Sequence, residues 1–225
     1  MTRPRALISW SSGKDSAFAL HEIRREGAFD VVGALTTVNE SFGRVSIQGV
    51  REKLLHTQLA SAGLPPLVVP IPNPCPNDAY EARMTRSMAD AKRSGITHII
   101  FGDLFRADIR AYREQKLAGT GITPVFPLWG RPTSALAREM IAGGLKARLV
   151  SVDRAKLDRS FAGRNFDEKL LEDLPTGIDP CGENGEFHTF VFAAPIFSQR
   201  IEVVCGDIVE RDGFATAISF WRNRA

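Results

Sequence analysis

The sequence predicts an α/β protein: a parallel sheet covered by helices over residues 1–125, followed by a smaller α+β unit over residues 126–225. Three observations carry this. Short apolar runs alternate with stretches of helical periodicity, the pattern of a parallel sheet with crossover helices. A tight turn dense in small residues joins the first apolar run to the first helical stretch. Beyond residue 125 the alternation loosens into loops rich in Gly and Pro and a terminal pair of extended segments.

Ala6–Ile8 is a short strand that runs into Ser11-Ser12-Gly13. From Asp15 the spacing is helical: Ala17 pairs with Leu20 and Ala19 with Ile23, Arg24–Glu26 face outward, and Gly27 supplies the stop. Val31–Leu35 is a second buried strand, so the chain opens on a βαβ unit. Val50, Leu54, Leu55 and Leu59 share one face of a helix closed by Gly63, and Leu67–Ile71 is a strand. Asn77 is placed to cap a helix whose stripe is Tyr80, Met84, Met88 and Ala91, ended at Gly95; its methionines are read as core. Thr97–Phe101 is a strand running into Gly102-Asp103, with His98 a packed strand residue. Thr123–Trp129, with two prolines, suits an edge strand. Thr133 is placed to cap a helix through Leu136, Met140 and Ile141, and Leu149–Val152 is a strand. Pro175–Gly185 is a loop and Phe187–Phe192 is extended. The end of the chain reads as a hairpin turning at Asp212-Gly213.

The bulk composition narrows the function classes. Of 225 residues, 44% are hydrophobic and 24% charged, and 29 basic against 26 acidic residues leave a net charge of +3 without a long single-sign run. A nucleic-acid surface is therefore not expected. No apolar run approaches the roughly 20 residues of a membrane helix, and Met1–Arg5 is too short and polar to begin a signal peptide, so a cytoplasmic, membrane-free protein is expected. Cys75, Cys181 and Cys205 form no C-x-x-C pair, which argues against a zinc site and a disulfide framework. Cys181 reads as a small residue filling a turn. Trp10, Trp129 and Trp221 read as core, with Trp10 also placed to line a crevice.

In a parallel sheet, ligands bind beyond the carboxyl ends of the strands. The Ser11–Ser16 turn, Thr36-Thr37 and Gly102-Asp103 all fall at such ends and should converge on one crevice. In Ser11-Ser12-Gly13-Lys14-Asp15-Ser16, small residues admit an anion close to the backbone, and the turn and first helical turn offer N–H groups. Ser11, Ser12 and Ser16 add hydroxyls, Lys14 adds a charge, and Asp15 is placed to cap the helix or hold Mg²⁺. The spacing is neither that of a Walker A loop nor that of a dinucleotide fingerprint. It resembles the S-G-G-x-D-S signature of PP-loop ATP pyrophosphatases, with Ser12 where the first glycine is usual. A serine keeps that turn if its φ is negative.

A second constellation, Gly177 to Phe190, places Cys181, Gly182, Glu183, Asn184, Gly185, Glu186 and His188 in one loop and strand start. Glu183, Glu186 and His188 are of the types that position an amine or move its proton. The run Gly182–Phe190, with the N-terminal turn, Gly102-Asp103 and the Ser46–Arg51 segment, resembles the diphthine–ammonia ligase family. That resemblance covers nearly the whole chain. Together with Arg110–Arg113 it is similar to short bacterial relatives.

The resemblance implies a Rossmann-like nucleotide domain of the adenine nucleotide alpha hydrolase type and a family-specific C-terminal substrate domain. It implies an AMP-forming, ATP-dependent ligase that adenylates a carboxylate and amidates it with ammonia, releasing pyrophosphate. Ser11–Ser16, with Thr36 and Gly102, would hold ATP, and Asp15 its Mg²⁺. Lys14, Asp15, Asp103, Glu183, Glu186 and His188 would be catalytic. Gly182, Glu183, Asn184, Gly185, Glu186 and His188 would meet the carboxylate substrate, a small molecule or modified protein side chain. Two other readings stand beside it: a tRNA-modifying PP-loop enzyme, which calls for catalytic cysteines and a basic extension, and a non-catalytic ATP-binding module. The terminal hairpin is free to serve a homodimer.

Overall fold

A computed structural model describes residues 2–46 and 49–221. Ile47 and Gln48 of the Ser46–Arg51 segment, and the side chains of Cys205 and Trp221, lie outside the described residues.

The first half is a doubly wound parallel sheet. Its strands and helices in chain order are β1 (Arg5–Ser9), α1 (Lys14–Glu26), β2 (Asp30–Asn39), β3 (Arg44–Val45), α2 (Glu52–Ala62), β4 (Pro66–Ile71), α3 (Asn77–Arg93), β5 (His98–Ile100), α4 (Ala107–Leu117) and β6 (Thr123–Val125). β1 lies between β2 and β5, β2 also pairs with β4, and β5 with β6, all in parallel. The two-residue β3 folds back antiparallel on the end of β2. Chain progression thus moves outward one way from β1 to β4, then crosses back to β5 on the other side. The reversal makes the gap between the ends of β1 and β5 the topological switch point, where such sheets leave a crevice.

The alternation of β1 explains the two faces. Ala6 and Ile8 point into a core shared with α1 and α2, whereas Leu7 points to the opposite face, with Met88 and Ala91 of α3 and Leu117 of α4. Gly27 and Gly63, both left-handed, end α1 and α2 as their sequence positions suggest. Two expected caps are displaced. α3 and α5 (Thr133–Ala142) take Pro76 and Pro132 as their N-cap residues, and neither cap makes a side-chain hydrogen bond. The Asn77 amide instead reaches Glu81 on the next turn. Proline already fixes the extended entry to each helix and leaves Asn77 and Thr133 in its first turn.

The second half is a five-stranded antiparallel sheet around β7 (Lys146–Asp153). β7 pairs with β8 (Asn165–Phe166), β9 (Phe187–Ala193) and β11 (Phe214–Trp221), while β10 (Val203–Arg211) pairs with β11. The short helix α6 (Glu168–Asp173) is capped by Asp167, whose carboxylate accepts from Leu170 N. The hairpin turns at Asp212 and Gly213, both at positive φ, as a two-residue connection requires.

The two sheets divide the chain between Val125 and Lys146, yet they bury one continuous core. Ile8, Leu20 and Leu55 of the first half pack in the same cluster as Leu149, Phe190 and Val191 of the second. Each such side chain is fully buried and stabilises the fold by about 1.5–3 kcal/mol. Of the tryptophans, Trp10 is buried, whereas Trp129 is only half-buried, edge-on to Phe126 and under the Arg110 guanidinium, so the core expectation for Trp129 is corrected.

Candidate functional site

The Ser11–Ser16 turn sits at the carboxyl end of β1, at the switch point, and opens α1. Its shape departs from the sequence expectation at one residue. Ser12 has φ +72 and is fully buried, so it occupies the left-handed region that glycine adopts freely. A side chain there costs about 1 kcal/mol, and the Ser12 hydroxyl, sealed from solvent, has no hydrogen-bond partner to offset it. The condition that its φ be negative is not met.

The turn is held by weak internal bonds and by the second sheet. Ser11 N donates to Ser16 Oγ at 3.4 Å and Gly13 N to Ser11 Oγ at 3.3 Å. Lys14 N donates to Thr189 Oγ1 on β9 at 3.1 Å, and Val191 N, also on β9, donates to Ser12 O at 3.1 Å. Gln58 of α2 donates to both Ser12 O (3.0 Å) and Val191 O (2.7 Å). Gly102 completes the seat from below. A Cβ on it would stand 2.7–2.9 Å from the backbone of Asp15 and Ser16, so the first turn of α1 rests directly on the end of β5.

Lys14 and Asp15 face each other. Lys14 Nζ lies 2.9 Å from both Asp15 carboxylate oxygens, donates to Cys181 O, and sits over the rings of Phe166 and Phe187. Burial disfavours the Lys14 ammonium, but Asp15, with Cys181 and Glu183 nearby, outweighs it and holds the lysine above its ordinary range. Burial pushes the Asp15 carboxyl up, against the pull of Lys14. Asp15 is not the helix cap: Gly13 holds that position.

These groups open on a cavity of about 390 Å³. Ser11, Lys14, Asp15 and Ser16 line one side; Gly102 and Asp103, just past β5, line another, and so do Thr36 and Thr37, which lie inside β2 rather than at its end because the strand runs on to Asn39. From the second constellation, Gly182, Glu183, Gly185 and His188 reach the same cavity. Trp10 lines it as well as being buried. Tyr80, Met84 and Met88 of α3 also line it, so the two methionines are not purely core. Ser12, Gly13 and Glu186 are buried outside this lining, and Asn184 is exposed and does not reach it.

Thr36 Oγ1 is buried with no partner, a polar atom at the crevice that a ligand would satisfy. Asp103 is paired with Arg113 of α4, whose guanidinium lies 4.2 Å from the Phe101 ring centroid. Glu183 accepts from Leu104 N at 3.1 Å, bridging the loop to the end of β5. Burial pushes its carboxyl up to about 7, against the Leu104 hydrogen bond and with Asp15 adding to the rise. Burial, reinforced by Lys14, lowers the pKa of His188, which favours a neutral imidazole. The Cys181 thiol is pushed by burial to about 12 and donates to Thr133 O, in keeping with a turn filler rather than a nucleophile.

Glu186 is buried and turned into its own loop. It accepts from Asp179 N (3.1 Å), Asn184 N (2.9 Å) and Asn184 Nδ2 (3.2 Å), while Asp179 accepts from Glu183 N (2.8 Å). Glu186 and Asp179 thus shape the loop that presents Glu183.

Residues 132–219 match the diphthamide synthase C-terminal domain family. The chain is similar to the diphthine–ammonia ligase of Homo sapiens, 34% identical over 101 residues, covering 42% of this chain and 38% of that protein. It is 31% identical over 94 residues to the diphthine–ammonia ligase of Schizosaccharomyces pombe, covering 40% of this chain and 16% of that protein. With that of Bos taurus it shares 26% identity over 153 residues, covering 66% of this chain and 57% of that protein.

The chain is thus similar to diphthine–ammonia ligases, and its residues 132–219 match the diphthamide synthase C-terminal domain. Its matches span less than two thirds of the length of each of these relatives. Within the family resemblance, the sequence left Gln58, Thr189 and Asp179 unassigned. Gln58 had a signal: a polar residue beside Leu55 and Leu59 on the apolar face of α2. Thr189 and Asp179 lay inside the quoted loop with nothing to separate them from its other polar residues.

Gly102→Ala is expected to lower stability by about 1–3 kcal/mol, because rigid backbone rather than a flexible side chain must move. Urea denaturation checks this, and an unchanged midpoint would show that the first turn of α1 has room to shift.

Proposed function

We propose that this chain is an ATP-dependent ligase that adenylates a carboxylate and transfers the acyl group to ammonia, releasing AMP and pyrophosphate. The single observation that carries the reading is the meeting of the Ser11–Ser16 turn and the Gly182–Thr189 segment in one crevice at the switch point, joined through Thr189 and Cys181 to Lys14. A nucleotide-binding module alone would need only the turn. Among the described residues, no group of three or more His, Cys, Asp or Glu side chains clusters to hold a metal. A thiolase reading is also disfavoured, because Cys181 carries a strongly raised pKa.

The residues fit the nucleotide. Hydroxyls hold the amides of Ser11 and Gly13 at 3.3–3.4 Å, longer than a strong N–H···O bond, so phosphate oxygens can replace them with gain. The N-terminus of α1 and the Lys14 ammonium add positive potential. Thr36 Oγ1 supplies an unmet polar contact from within β2. A magnesium ion fits as a companion of the triphosphate, with Asp15 as the protein ligand beside phosphate oxygens and water. When bound it would neutralise charge on the departing pyrophosphate.

In the first step a substrate carboxylate oxygen attacks the α-phosphorus. The bond between that phosphorus and the β-bridging oxygen breaks, and pyrophosphate leaves. In the second, ammonia attacks the acyl carbon, the bond to AMP breaks, and a proton is lost from nitrogen. Glu183 lines the cavity and titrates near 7, so it can accept that proton at neutral pH. Asp103 and its partner Arg113 border the place where the carboxylate would lie.

Incubation with ATP, Mg²⁺, ammonium and a pool of candidate carboxylates is expected to yield AMP and pyrophosphate, and Asp15→Ala should reduce the yield at least about a hundredfold. Formation of ADP, or tight binding without cleavage, would contradict the ligase reading. The rate of amide formation, at constant free ammonia, should rise with pH through about 7 as Glu183 loses its proton. Glu183→Gln should lower the rate about 10²–10⁴-fold and abolish that limb; a limb that survives would assign the proton transfer elsewhere.

A further inference from the structure

Gln58 is fully buried, and each of its polar atoms is engaged. Trp10 Nε1 can only donate, so the oxygen of the Gln58 amide must face it, at 2.8 Å. That orientation turns the amide nitrogen toward two carbonyls that can only accept: Ser12 O at 3.0 Å and Val191 O at 2.7 Å. One side chain on α2 therefore ties the residue before the phosphate turn, the turn itself and the facing strand β9.

The carbonyl it grips belongs to the residue with the strained backbone. Ser12 stands at φ +72, and its own hydroxyl contributes no compensating bond. We infer that Gln58 is a positioning residue that locks Ser12 in the left-handed conformation and so keeps the turn open for a phosphate chain. This deepens the ligase reading by naming what makes its phosphate site tolerate serine. If so, the need for Gln58 depends on the residue at position 12: glycine adopts the same φ without strain, and the clamp loses its purpose.

Gln58→Met preserves volume and removes both donors. In the full chain without ligand, it is expected to raise hydrogen–deuterium exchange of segment 11–16 by about tenfold. Made in a Ser12→Gly background, the same change should raise it by less than about threefold. The ATP dissociation constant should follow the same pattern, with a penalty of about tenfold for Gln58→Met that shrinks when position 12 is glycine. A merely structural glutamine would give equal increases in both backgrounds, and that result, or no increase, overturns the proposal. If Gln58→Met does not fold, Trp10→Phe, which frees the amide to turn, should show the same dependence on position 12 at smaller amplitude; equal effects in both backgrounds again overturn it. Failure of the unaltered chain to bind ATP would sink the ligase reading, and the exchange comparison alone would then decide the clamp.

Discussion

The structure depends on one contact: the docking of the Ser11–Ser16 turn against β9 of the second sheet. Lys14 N and Ser12 O bond directly to Thr189 and Val191, and Gln58 spans the same seam. Without that seam the turn would be a short, serine-rich connection with a residue in an unfavourable backbone region. With it, the turn becomes a fixed array of amides at the switch point of a parallel sheet. The cost of the left-handed serine is small beside the core that the two sheets bury together, so the fold can hold the turn in shape.

The same contact explains why the two sequence segments occur in one chain. The loop before β9 is shaped by Glu186 and Asp179, which spend their carboxylates on its own backbone amides. That leaves Glu183 as the loop's carboxylate at the cavity, against the end of β5 and near Asp15. Burial then does the electrostatic work, raising Glu183 into the neutral range and favouring the uncharged form of His188. Lys14, buried but paired on every side, stays charged.

Much of this was legible in the sequence, for reasons that are local. Gly27 and Gly63 announced the ends of α1 and α2, and Asp212-Gly213 announced the hairpin, because each must adopt a positive φ. Ser11, Thr36 and Gly102 line one crevice as expected, since parallel topology brings them together, although β2 runs on past Thr36 to Asn39. What escaped was whatever depends on partners distant in sequence. α4 shows no apolar stripe, only Leu117 being buried, and its Arg113 earns its place through Asp103 and Phe101. The φ of Ser12 is set by Gln58 and Val191, which lie far along the chain, so no local pattern could predict it. Asn77 and Thr133 have the chemistry of caps, but the prolines before them take that role.

The measurement that bears most directly on this account is a crystal structure of the protein with Mg²⁺ and an ATP analogue whose α–β bridge is a methylene. The account predicts the triphosphate on the amides of residues 11–16, with Thr36 Oγ1 in contact with the nucleotide and Glu183 facing the α-phosphorus across the crevice. A nucleotide bound elsewhere, or a turn whose amides stay bonded to the Ser11 and Ser16 hydroxyls with the crevice empty at saturating analogue, would contradict it.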